Sequence, residues 1–191
     1  MQRPAWPAQQ AQWDPTRLVF LDETGVTTHL TRLSGRAPQG ERRYGRVPHG
    51  HWQSTTCVAA LRQAGLTAPL VIDGPLNGER FVRYVQPFLG PTLAPGDRVI
   101  MDNLAAHKVK GVAEAIAARG ARLLYLPPYS PEFNPIELLF AKLKGLLRQA
   151  AVRTVEALWP LIGELLDRFS AEECRNYFKH AGYCADEKKM L

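Results

Sequence analysis

Two short runs constrain this chain more than any other feature. Leu18-Val19-Phe20-Leu21 is followed at once by Asp22, and Arg98-Val99-Ile100-Met101 by Asp102. A continuous apolar run of this length reads as a central strand covered on both faces, not the in–out alternation of a half-exposed one. A carboxylate at the end of such a strand is costly unless it emerges at the sheet's edge or meets a partner. A third acid, Glu137, follows Asp102 after 34 intervening residues, just inside a predicted helix.

The rest of the chain fits this architecture. Residues 1–16, rich in Gln, Pro and Ala with two Trp, read as a linker or N-terminal extension. The first strand covers about 17–23, residues 24–50 carry hairpin character, and 51–61, especially 54–60, and 69–72 are further strands. Asn77 is placed to cap a helix bearing Phe81, Tyr84, Val85 and Phe88 at i, i+3, i+4, i+7. Pro91, Pro95 and Gly96 break the chain before the Asp102 strand. A helix over about 108–118 ends at Gly120, a strand over 121–126 is cut by Pro127-Pro128, and helices fill 134–149, 154–168 and 171–180. Early strands, then strand–helix alternation, then helices predict an α/β fold with a mixed central sheet flanked by helices.

At 191 residues the chain suits one domain. No apolar run approaches the roughly 20 residues of a membrane span. The opening residues lack a hydrophobic signal core, so a cytoplasmic location and no membrane partner are expected. Three cysteines, Cys57, Cys174 and Cys184, are odd in number and lack CxxC spacing. That argues against a disulfide framework or a zinc site. The formal net charge of +6 points to a polyanionic partner without proving one. Arg32, Arg36, Arg42, Arg43 and Arg46 are opposed only by Glu41 and read as a flexible basic hairpin suited to phosphates. The ordinary alternative is a solvated loop.

Each acid also has a plain structural explanation. Asp22 fits a strand end turning into solvent. Glu23 competes for its role, since successive strand side chains face opposite ways and only one can face a site. Asn103 can cap the helix after it, and His107 either contacts a substrate phosphate or sits at the surface. Glu137 falls at N3 behind Asn134 and Pro135, the capping-box position. Its helix face decides against that reading. Ile136, Leu139 or Phe140, Leu143, Leu146 and Leu147 form the buried stripe, whereas Glu137 shares its side with Ala141, Lys144 and Arg148 and has no i+4 cation. Three acids without local cationic partners ask for a divalent ion, and oxygen-only ligands favour Mg²⁺ or Mn²⁺. In a basic chain the fitting substrate is a phosphodiester.

Three motifs then resemble one family. Leu21-Asp22-Glu23-Thr24-Gly25, Met101-Asp102-Asn103 with His107-Lys108, and the stretch Leu126-Pro127-Pro128-Tyr129-Ser130-Pro131-Glu132-Phe133-Asn134-Pro135-Ile136-Glu137 are similar to those of DDE transposases. The resemblance is greatest to the bacterial insertion-sequence 630 group, relatives of the mariner elements. The ending Cys174-Arg175-Asn176-Tyr177-Phe178-Lys179-His180-Ala181-Gly182-Tyr183 looks like that group's too. The likeness implies an RNase H-like DDE catalytic domain over 17–184, followed by a tail at 185–191. It makes Asp22, Asp102 and Glu137 the catalytic metal ligands, favours Asp22 over Glu23, and implies two Mg²⁺ or Mn²⁺ ions when DNA is bound. The implied activity is metal-dependent DNA strand cleavage and strand transfer at transposon ends. Arg32, Arg36, Arg42, Arg43, Arg46, His107, Lys108, Lys144 and Arg148 are the expected DNA contacts. Implied partners are double-stranded DNA of the ends and target, and a second copy as a homodimer on DNA. A helix-turn-helix region would come from an N-terminal part or a separate reading frame, because residues 1–16 are too short to supply it. The implied location is the bacterial cytoplasm, at the nucleoid when DNA is bound. Two other functions fit the same residues: a catalytically silent DNA-binding remnant that regulates transposition, and a stand-alone RNase H-like nuclease.

Overall fold

The structure, a computed structural model, describes residues 3–32 and 34–183; Cys184 and the tail 185–191 lie outside them. Five strands form one sheet: β1 (Leu18–Thr27), β2 (Ser54–Arg62), β3 (Gly65–Asp73), β4 (Arg98–Met101) and β5 (Arg122–Tyr125). Their order is β3-β2-β1-β4-β5. The first three strands are antiparallel neighbours, with Phe20 opposite Leu61 and Thr27 opposite Ser54. β4 and β5 run parallel to β1, with Leu18 beside Arg98 and Phe20 beside Ile100. β1 reaches four residues past the expected Glu23 because Thr24–Thr27 pair with β2, although of these only Val26 carries an apolar side chain.

Among the described residues six α-helices accompany the sheet: α1 (Trp6–Gln10), α2 (Gly78–Tyr84), α3 (Val112–Ala117), α4 (Pro135–Ala150), α5 (Val155–Leu166) and α6 (Ala171–His180). Strand alternation divides them. Leu18, Phe20 and Ile100 share one core with α4, α5 and α6. Val19, Leu21, Val99 and Met101 share the other with Phe81 and Tyr84 of α2 and with α3. The central strands are thus buried on both sides, as their unbroken apolar runs require. On α4 the stripe Ile136, Leu139, Phe140, Leu143 and Leu147 is buried. Asn77, Thr154 and Ser170 each accept a backbone N–H and cap α2, α5 and α6.

Three expectations change. The N-terminal segment is docked: Trp6 is fully buried, donates from Nε1 to Tyr183 Oη at 2.9 Å and meets Trp13 edge-on at 5.1 Å. It is therefore a packed extension and not a free linker. No helix spans 108–118. A 3₁₀ turn at Ala105–Lys108 is followed by Gly111 at φ 103°, which redirects the chain into the short α3. The arginine-rich stretch is not a hairpin; among the described residues 28–53 contain no strand and form a long exposed connection. No described helix is long and apolar enough to cross a membrane.

Candidate active site

Extending the parallel register two residues past Phe20 and Ile100 sets Asp22 level with Asp102. By alternation Asp22 follows the β1 side chains that face α4, namely Leu18 and Phe20. The sheet therefore delivers Asp22 to the α4 face and Asp102, just past the end of β4, to the same sheet end, where α4 begins. Glu23 falls on the opposite face. The alternation that left Asp22 and Glu23 as rivals thus separates them.

Asp22 is only 6% exposed. Its Oδ1 accepts the backbone N–H of Glu23 and its Oδ2 accepts from Asn134 Nδ2, both at 2.8 Å. Burial, then the charge of Glu23, with smaller contributions from Glu137 and Asp102, raises its pKa to about 8. The hydrogen bond from the Glu23 N–H lowers it but does not outweigh these causes.

Asn134 occupies the N-cap position of α4 but makes no capping bond. Its amide nitrogen goes to Asp22, and its Oδ1 is buried without a partner. Glu137 is exposed, and its carboxylate takes no part in capping. The capping box is not formed, so the helix start does not account for Glu137. Asp102, Asn134 and Glu137 line a cleft of about 370 Å³. Tyr129, also on this cleft, is 95% exposed and sits at φ 53°, a left-handed conformation costly for a side chain that gains no packing from it.

His107 contradicts the reading of it as a DNA contact. It is fully buried, because its ring fills the space between Glu23 and Asp102. Nε2 lies 2.9 Å from Glu23 Oε2 and Nδ1 lies 2.5 Å from Asp102 Oδ1, the latter an ion-pair contact angled poorly for a hydrogen bond. Burial alone would lower the imidazole pKa, but the contacts with Asp102 and Glu23 outweigh it and raise it to about 10. The sequence held a clue to this pairing. If Asp22 faces α4, Glu23 must face the apolar opposite side, where a carboxylate needs a buried cation.

The other basic residues stay at the surface. Arg42, Arg43 and Arg46 are exposed along the 28–53 connection. Arg32 and Arg36 join Arg148 of α4 around a concavity of about 680 Å³. Arg148 lies eleven residues beyond Glu137, roughly 16 Å along the helix. Lys144 is half-buried on the same helix. Lys108 is exposed, its Nζ 5.8 Å from the centre of the Tyr125 ring.

Among the described residues no three His, Cys, Asp or Glu side chains stand close enough to ligate one ion as they are placed. Both oxygens of Asp22 and one of Asp102 accept from protein donors. The donor set nevertheless fits a hard cation. It is all oxygen, it includes a buried carboxylate, and beside it lies a buried amide oxygen without a partner.

A mixed sheet of this order, covered by helices on both faces and carrying acids on its first and fourth strands, is the RNase H-like fold. The chain belongs to the DDE superfamily endonucleases, whose family profile matches residues 17–159. Solved structures with the same fold include the Mos1 transposase paired-end complex with left transposon end, at a TM-score of 0.73 and 16% identity over 94% of this chain and 56% of that one. The Mos1 mariner paired end complex with Mn gives 0.73 and 16% over the same shares. The catalytic domain of Mos1 mariner transposase gives 0.68 and 14% over 94% of this chain and 84% of that one. The chain thus spans little more than half the length of the transposase chains in the paired-end complexes. No curated protein matches it in sequence.

Proposed function

We propose that this chain is the catalytic domain of a mariner-like DDE transposase of the bacterial insertion-sequence 630 group, cutting DNA at transposon ends and joining the freed end to a target. The observation that carries this reading is the delivery of Asp22, Asp102 and Glu137 by three separate elements to one sheet end, with Asp22 buried and its pKa raised. Mg²⁺ or Mn²⁺, two ions when DNA is bound, would be held by these three residues and would supply Lewis-acid polarisation and charge neutralisation at the phosphate. Mos1 complexes solved with Mn and with Mg support this choice of cation.

The chain's own residues do the positioning. Asn134 orients the Asp22 carboxylate, and Glu137 offers a carboxylate committed to no cap. In the first reaction water attacks phosphorus at the transposon end and the bond to the 3′ oxygen breaks, leaving a 3′-hydroxyl. In the second that hydroxyl attacks a target phosphodiester, and no covalent protein intermediate forms. Exposed Arg32, Arg36, Arg42, Arg43, Arg46, Lys108 and Arg148, with Lys144, would hold the DNA backbone. The working assembly would be a homodimer on DNA with a helix-turn-helix region reading the ends, at the nucleoid of a bacterial cytoplasm.

The test is cleavage of a labelled transposon-end duplex in Mg²⁺ or Mn²⁺. Nicking is expected with metal, and loss of it in Asp22→Asn, Asp102→Asn and Glu137→Gln. Glu137→Gln should alter stability by less than about 1 kcal/mol, because the side chain is exposed and caps nothing. Metal-dependent nicking that survives Glu137→Gln would refute the assignment. Preference for branched or RNA–DNA hybrid substrates would favour a stand-alone nuclease instead.

A further inference from the structure

His107 is fully buried and does not line the cleft formed by Asp102, Asn134 and Glu137. Its two ring nitrogens face two acids, Nε2 toward Glu23 at 2.9 Å and Nδ1 toward Asp102 at 2.5 Å. Phe81 packs against the ring at 4.6 Å between centroids, and Tyr125 Oη donates to the His107 carbonyl at 3.2 Å. The ring cannot turn without losing both acids. Asp102 is fixed in return, because its Oδ1 meets His107 and also accepts the Leu104 N–H at 3.1 Å. Oδ2 carries neither contact.

We propose that His107, backed by Glu23, is a positioning residue for Asp102, deciding which carboxylate oxygen is offered to a divalent ion. The proposal rests on the metal-binding reading of the acid set. A structural role explains the cluster less well. Desolvating an imidazolium and a carboxylate costs about as much as their attraction returns, and apolar side chains of similar volume would pack beside Phe81 at least as favourably. What the cluster adds over an apolar filling is a fixed orientation of a group that must ligate. Partners that hold metal ligands in this way typically change affinity by about 10- to 100-fold. The short 3₁₀ turn, in place of a helix running on from the strand, is what returns His107 to the end of β4.

The test is Mn²⁺ titration of the full chain without DNA, read by electron paramagnetic resonance, with metal-free melting curves as the folding control. His107→Gln and Glu23→Ala should each weaken Mn²⁺ binding about tenfold or more. Glu23→Gln keeps an acceptor for Nε2 and should retain most of the affinity. Because Glu23 acts through His107, the double variant should be no weaker than His107→Gln alone. If His107→Gln does not fold, the contrast between Glu23→Ala and Glu23→Gln carries the test. Binding within twofold of native in folded variants would overturn the proposal. Additive losses would overturn it too, by making Glu23 a ligand in its own right. An experimental structure of the metal-free chain reads the clamp without any ion: the His107 ring should stand between Glu23 and Asp102. A ring turned away from Asp102 would refute the clamp, whereas an intact clamp in a chain that binds no Mn²⁺ would place the failure with the proposed function.

Discussion

Asp22 couples stability to metal uptake through one proton. In the folded chain its pKa stands near 8, against about 3.8 when unfolded. Between those values the native state keeps a proton that the unfolded chain has lost. The contribution to stability is therefore complete below about pH 4 and is lost as pH rises through about 8. Asp22→Asn removes this dependence. An amide there can still accept from the Glu23 N–H, and a turn of the Asn134 amide would bring its unpartnered Oδ1 to the new NH₂ group. Metal-free melting temperatures taken from pH 5 to 9 should fall with pH more steeply for the native chain than for Asp22→Asn, with the variant the more stable at pH 8 and above. Parallel curves would mean that Asp22 is not strained by its burial. Metal uptake has the opposite pH sense: the ion displaces the proton, so affinity should increase up to about pH 8 and then level.

The helices show what the sequence made legible. α4, α5 and α6 lie within a few residues of their expected limits, because apolar periodicity and the caps of α5 and α6 depend on near neighbours alone. The Asp22 and Asp102 strands were legible for a similar reason, being apolar throughout and ended by acids. Contacts between residues distant in the chain were not. Asn134 has every local mark of an N-cap, but its side chain is claimed by Asp22, 112 residues away. His107 resembles a surface residue until β1 and β4 are paired. The extent of β1 depends on a partner strand that begins 27 residues later. At the far end of α4, Ala151 sits at φ 52°, a conformation that costs an L-residue about 1 kcal/mol or more. Ala151→Gly should therefore stabilise the chain by roughly 0.5–1 kcal/mol while leaving Mn²⁺ affinity unchanged. Equal or lower stability in chemical denaturation would show that the neighbouring turn already relieves the strain.

At the scale of the molecule, the arginines proposed to hold DNA stand on the 28–53 connection and on α4. Contacts of that kind go to phosphates, so DNA affinity should be weak, sequence-independent and steeply salt-sensitive, with a dissociation constant on the order of 10⁻⁴–10⁻⁶ M at physiological salt. Replacing Arg42 and Arg43 with Ala should flatten the plot of log K against log salt by about two units, checked on transposon-end and scrambled duplexes. Strong discrimination between the duplexes would mean that the domain reads bases. Asp22, by contrast, stands on a strand held on every side. β1 is bonded to β2 along one edge and to β4 along the other, and both its faces are covered. In deuterated water the amide hydrogens of Phe20, Leu21 and Asp22 should therefore be among the last to exchange, released only when the entire domain opens, while those of the arginine-rich connection exchange at once. Thermal breathing can then loosen the grip on DNA many times over before it disturbs the floor on which the reaction would take place.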